Sequence, residues 1–148
     1  MMRWKWNNVP IPEVYLVGLV IGAILHIFFS KYLFQLAWIG HVFGWPLIIV
    51  GIGLCAWSVI EAKEMNIASP NILLKSGFYA LSRNPMYVGW ALIYLGISFA
   101  ANSVWIVSLL PIVIITIHFV DIRKEERLLD EEFGDEYSQY RKRVRRYF

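Results

Sequence analysis

The chain has 148 residues, enough for one domain, and is 58% hydrophobic but only 17% charged, whereas a soluble domain is about half apolar and about a quarter charged. That balance argues against a soluble globular domain, and a single cysteine, Cys55, excludes an internal disulfide framework and argues against a cysteine-rich zinc site. The net charge is +3, but its distribution along the chain says more than its sum.

Arg3 and Lys5 precede an uncharged run from Val14 to Phe29. That start resembles a signal peptide, but the run is long and no Ala-x-Ala site follows, so it reads as a first membrane span over about residues 13–34. The uncharged stretch from Tyr32 to Ile60 holds a second span, about 38–61. A third stretch, Met86 to Val120, is too long for one span. Asn102 and Ser103 are good helix N-caps and mark a tight turn within it, giving spans 86–101 and 103–121. The fold expected is therefore an all-α, multi-pass transmembrane bundle of four spans, a single membrane domain over 1–148. With an even number of spans, 13 of the 14 Lys and Arg residues share one side with both chain ends, and Lys31 lies opposite. The positive-inside rule then puts both ends in the cytoplasm. Trp4, Trp6, Trp38 and Trp105 fall near the expected interfaces. Gly18 with Gly22, and Gly40 with Gly44, have the spacing of closely packed helices, read here as packing within one bundle rather than dimerisation. Pro111 lies inside the fourth span and should kink it.

Two cytoplasmic pieces remain, 62–87 and 122–148. The first carries turn signals at Ser69-Pro70-Asn71 and Ser76-Gly77, and its apolar residues Ile72, Leu73, Leu74, Phe78 and Tyr79 should pack on the bundle. In the second, the fourth helix runs past His118 with Glu125, Leu128, Leu129 and Glu132 on one face, and Gly134 is a natural stop. A last helix, Glu136 to Arg146, would carry Tyr137, Tyr140 and Val144 on one stripe and rest its arginines and lysine on anionic headgroups. A nucleic-acid partner is disfavoured because the basic stretch adjoins a span. Three scattered histidines, His26 and His41 among them, suggest packing roles and no metal site.

Arg83-Asn84-Pro85 before the third span and Glu125-Glu126 after the fourth face one membrane boundary. Singly, Arg83 could anchor a helix end to phosphates and Glu125 could form weak surface pairs with Lys124 or Arg127. Jointly, they read as a polar pocket at membrane depth, where ionisable groups signal function. The stretches SGFYALSRNPMYVGW and KEERLLDEEFGDEYSQYRKRV resemble the isoprenylcysteine carboxyl methyltransferase family, which is related to the phospholipid methyltransferases. The shared pattern is G-x-Y-x-x-x-R-H-P-x-Y-x-G followed by E-E-x-x-L-x-x-x-F-G-x-x-Y-x-x-Y, and the likeness covers about Asn71 to Val144.

The resemblance implies a membrane methyltransferase that takes S-adenosylmethionine in the cytoplasmic pocket and releases S-adenosylhomocysteine, its lipophilic acceptor entering between helices. Carried onto this chain, the cofactor contacts are Asn71, Ile72, Leu73, Leu74, Tyr79, Asn84, Pro85, Met86, Tyr87 and Glu125. Glu126 and Arg83 are the candidate catalytic residues, Glu126 as base where the acceptor is an amine or thiol; a carboxylate acceptor needs none. Two positions depart from the pattern. Asn84 replaces the family's His, which removes any titrating role there. Asp121 stands where the prenylcysteine enzymes carry a substrate-binding Arg, which argues against a prenylcysteine carboxylate unless Arg123 substitutes. The alternatives are an NADPH-dependent membrane reductase like the sterol reductases and a non-catalytic membrane scaffold. The cytoplasmic-face site and small size suit a bacterial inner membrane.

Overall fold

The computed structural model describes residues 13–62 and 71–147. Arg3, Trp4, Lys5, Trp6, Lys63 and the Ser69-Pro70 turn, and with them the reading of a leader, lie outside the described residues. The described chain is helical: α1 (Glu13–Phe28), α2 (Ala37–Glu61), a 3-10 turn (Gly77–Ala80), α3 (Pro85–Ala100), α4 (Val104–Ile117) and α5 (Arg123–Arg143). A single π turn, His118–Ile122, joins α4 to α5. Among the described residues, two helical runs are long and apolar enough to cross a membrane: α2, of 25 residues, and the run Val104–Arg143, of 40. α1 and α3 are apolar but only 16 residues each.

α2 and α3 match the expected second and third spans to within a residue, and α4 continues through Pro111. The first helix is shorter than the expected 13–34, for a reason far away in sequence. Asn102 in the α3–α4 turn accepts a hydrogen bond from Phe34 N at 2.8 Å and donates one to Phe34 O at 2.9 Å. Val104 N donates to Lys31 O at 3.1 Å. These bonds draw residues 31–34 alongside the turn and out of the helix. Ser103 caps α4, its hydroxyl accepting from Ile106 N.

Asn102 also holds φ 50°, a left-handed conformation that Asn tolerates better than other side chains. Asn102→Gly loses the two side-chain bonds, and Asn102→Ala loses them and adds backbone strain of about 1–2 kcal/mol. Thermal unfolding in detergent should therefore rank wild type above Asn102→Gly above Asn102→Ala.

α3 touches the three other apolar helices, with α2 on one side and α1 and α4 on the other. Glycines set the close approaches. Gly44 and Gly51 of α2 lie against Gly96 and Gly89 of α3, and Gly18 and Gly22 of α1 lie against Val113 and Ile106 of α4. The glycine spacings thus serve packing inside the chain. The core between α1, α3 and α4 holds Tyr15, Tyr87, Tyr94, Ile106, Val113 and Ile117. The outside is apolar too: Ile27 and Phe28 are 75% exposed and Ile49 66%. An apolar surface of that extent requires cover by something other than water.

Candidate functional site

The site begins where α2 ends. Glu61 Oε1 accepts from Trp57 Nε1 at 2.9 Å, and its Oε2 accepts from Phe78 N at 3.3 Å. The Trp57 ring meets Phe78 edge-on. Gly77 has φ +54°, and a Cβ there would overlap the Glu61 carboxylate. The 3-10 turn carrying Tyr79 is thereby pinned to α2. Pro85 occupies the first turn of α3, where its missing N–H costs nothing. Asn84 is the N-cap residue, but its side chain does not cap the helix; its amide donates instead to Arg146 O at 3.2 Å. Ser82 Oγ donates to the same carbonyl at 3.2 Å, and Arg83 N donates to Arg145 O at 2.9 Å.

Those contacts show that α5 reverses. A straight helix would carry Arg146 about 30 Å beyond Glu126, yet Arg146 Nε lies 3.0 Å from Glu126 Oε1. The reversal falls at Gly134, with φ 46° and ψ −115°. Gly134 breaks the helix as its sequence suggests, and helix resumes beyond it up to Arg143. The returning arm buries Tyr137 and Tyr140. Arg83 Nη1 donates to Tyr137 Oη at 3.1 Å, and Tyr140 Oη donates to Tyr79 O at 2.6 Å. Lys75 and Glu136 form an ion pair at the outer end.

The expectation of a helix to Arg146 resting on headgroups needs correction at its end. Val144 is extended, and Arg146 turns inward because Glu126 lies within its reach. Arg141, Lys142, Arg143 and Arg145 stay exposed.

At the centre, neighbouring carboxylates take separate partners. Tyr87 Oη donates to Glu125 Oε1 at 2.7 Å. Glu126 pairs with Arg83 at 2.8 Å and with Arg146 at 2.6 Å. Arg146 Nη1 also meets His118 Nε2 at 3.2 Å, and His118 Nδ1 meets Tyr147 Oη at 2.8 Å. Arginine can only donate, so in that contact Nε2 is the acceptor, and Nδ1 faces the Tyr147 hydroxyl. Burial pushes the Glu125 carboxyl up to about 7, against the lowering effect of the Tyr87 bond. Burial likewise raises the Tyr79 and Tyr140 hydroxyls, which keeps both neutral. Arg83 Nε is buried with no hydrogen-bond partner among the described residues.

The structure therefore brings together Tyr79, Arg83, Asn84, Tyr87, Glu125 and Glu126. Pro85 and Met86 are buried at the head of α3. Asn71 and Ile72 are exposed, and Leu73 and Leu74 half-buried, on the loop that leads to the 3-10 turn. Two of the expected site residues have partners of their own. Both Glu126 oxygens are engaged by guanidinium groups. Arg123 is exposed and stacked over the Phe119 ring at 4.5 Å, on the outer face of the helix that turns Glu125 inward. Sequence reasoning missed Ser82, His118, Arg146 and Tyr147. The spacing of none of them distinguishes it from ordinary surface or helix residues.

The phospholipid methyltransferase family profile matches residues 39–136, and the chain belongs to that family. It is similar to the protein-S-isoprenylcysteine O-methyltransferase of Schizosaccharomyces pombe (strain 972 / ATCC 24843), with 34% identity over 89 residues. That alignment covers 60% of this chain and 37% of the relative, so the chain spans little more than a third of the relative's length. No solved structure matches the chain.

Proposed function

We propose that the protein is an integral-membrane methyltransferase that uses S-adenosylmethionine and methylates a lipophilic acceptor at the cytoplasmic face. In this reading α1 to α4 all span the bilayer, both chain ends are cytoplasmic, and the site lies at headgroup level. The observation that carries it is the joining of the two motifs: Tyr87 to Glu125 and Arg83 to Glu126, across 38 and 43 positions of sequence.

The charges fit the donor. Arg83 and Arg146 against Glu126 leave one positive charge, and Arg83 Nε is an unused buried donor. Glu125, once ionised, is a negative group oriented by the Tyr87 hydroxyl at its Oε1. A zwitterionic amino-acid end satisfies both, its carboxylate at Arg83 and its ammonium, or a ribose hydroxyl, at Glu125. NADPH would bring several phosphate charges against a single net cation, so the reductase reading finds no support here.

When bound, the donor supplies an electrophilic methyl group. Tyr87 orients Glu125, and the Glu126 bridge fixes Arg83. Positioning of this kind can supply several powers of ten in rate. In this reading Glu126 is held by two guanidinium groups and Glu125 by the donor, which suits a carboxylate acceptor or an amine that arrives neutral. The closing test has two parts. Purified protein is titrated with S-adenosylhomocysteine and with NADPH, and membranes are incubated with radiolabelled methyl donor and a lipid extract. Binding of S-adenosylhomocysteine alone, with label in an organic-soluble product, is expected. Binding of NADPH alone would replace this reading with the reductase, and binding of neither with the scaffold.

A further inference from the structure

We propose that residues 144–147 form a strap that completes the site, with Arg146 as its positioning residue; the proposal rests on the donor-site reading above. A tail that merely rested on lipid would turn its basic residues outward, as Arg141, Lys142, Arg143 and Arg145 do. Arg146 turns the other way, its side chain 31% exposed, and meets two groups on the α4–α5 run. Nε and Nη2 form a two-point contact with Glu126, and Nη1 reaches His118. Tyr147 meets the other nitrogen of the same ring, so the strap grips His118 from both sides.

The backbone of the strap contributes as much. Ser82 N and Asn84 O of the elbow are bonded to the 3-10 turn and to α3, but the Arg83 N–H and the Ser82 and Asn84 side-chain donors, which precede α3, have no helical partner. Arg145 O accepts from Arg83 N, and Arg146 O accepts from both Ser82 Oγ and Asn84 Nδ2. The elbow conformation is thus specified by carbonyls that lie more than 60 positions away in sequence. The side chain sets the charge. Without Arg146, Glu126 and Arg83 neutralise each other, and the site loses the positive charge that a carboxylate would meet. Arg146 touches neither donor nor acceptor in this scheme; it acts through Glu126 and Arg83.

The experiment compares wild type, Arg146→Lys, Arg146→Gln and a chain ending at Arg143, all in the same detergent. S-adenosylhomocysteine affinity is read by calorimetry, and hydrogen exchange is read at the Arg83 amide. Arg146→Gln should weaken binding about tenfold, and Arg146→Lys should restore part of it, because lysine keeps the charge without the planar fork. The Arg83 amide should stay protected in both, since the strap carbonyls remain. The shortened chain should lose about a hundredfold in affinity, and its Arg83 amide should exchange faster. Wild-type affinity and wild-type protection in the shortened chain would overturn the proposal. So would equal affinity of the Gln, Lys and wild-type proteins. Should the shortened chain fail to fold, the two full-length variants decide. Should wild type bind no S-adenosylhomocysteine, the donor reading fails, and exchange at Arg83 alone judges the strap.

Discussion

Glu125→Ala abolishes measurable binding of S-adenosylhomocysteine at pH 8, while Glu125→Gln weakens it about tenfold. The ranking follows from what each substitution leaves behind. Glutamine keeps an oxygen that accepts from Tyr87 and from the ligand but loses the charge, which is worth about 1–2 kcal/mol in a charge-assisted bond. Alanine also leaves the Tyr87 hydroxyl without its acceptor at 2.7 Å, and the ligand's cation loses its buried partner. Breaking such a pair costs about 3–5 kcal/mol, which carries a micromolar ligand out of calorimetric range.

The pH dependence separates charge from shape. With the Glu125 carboxyl at about 7, it is neutral in acid and ionised at pH 8. Binding of a cation favours the ionised form, so affinity should rise by up to about tenfold per pH unit toward 7 and level off above it. Glu125→Gln should flatten that profile. The ligand-free protein shows the opposite sign. Its folded form holds the Glu125 proton more tightly than the unfolded chain does. The resulting stability is present below the ordinary carboxyl range and is lost as pH rises through about 7. A thermal-unfolding series should show this slope, and Glu125→Gln should remove it. A wild-type binding profile that is flat between pH 6 and 8 would show that the Glu125 charge takes no part.

The features legible in the sequence are those written locally or carried by a family pattern. Pro85 announces the start of α3, and the charges after Ile60 announce the end of α2. The elbow and the acidic pair come together as the two spaced motifs imply. What escaped depends on partners far along the chain. Lys31 ends the uncharged run near the close of α1, but the bonds that hold residues 31–34 out of the helix come from Asn102, 68 positions from Phe34, and residues 29–34 do not report that partner. Glu125 and Glu126 are equivalent as letters, and only the helical rotation between them sends one to Tyr87 and the other to two arginines. Gly134 signals a break but not the direction of the chain after it. Arg146 is one of five basic residues between 141 and 146, and charge patterning cannot say which of them turns inward. A boundary with a local steric cause can be read from letters. One fixed by a hydrogen bond across the fold requires the fold first.

Gly44→Val should prevent α2 and α3 from seating, with a loss of about 4 kcal/mol or more, whereas Gly53→Val, on the same helix, should be neutral. A Cβ at Gly44 would lie 2.6 Å from Gly96 O and 2.8 Å from Ala100 N, both backbone atoms that no rotamer change can move. A Cβ at Gly53 meets nothing within 4 Å. Helix association in a bilayer relies on close backbone approach rather than on burial from water, so spreading this seam removes its main attraction. The site would be lost with it, because α3 carries Pro85, Met86 and Tyr87 at its head. Gly89 supplies the internal control. Its Cβ would meet Cys55 Sγ at 2.6 Å and Gly51 O at 3.0 Å, so the worst clash there is with a side chain. Cys55→Ala should therefore relieve part of the damage of Gly89→Ala. No comparable side-chain change should rescue Gly44→Ala, whose two shortest contacts are both backbone. Unfolding midpoints of these variants, measured in one detergent beside wild type, give the test. Equal tolerance of alanine at Gly44 and Gly53 would mean that the two helices do not pack along this seam.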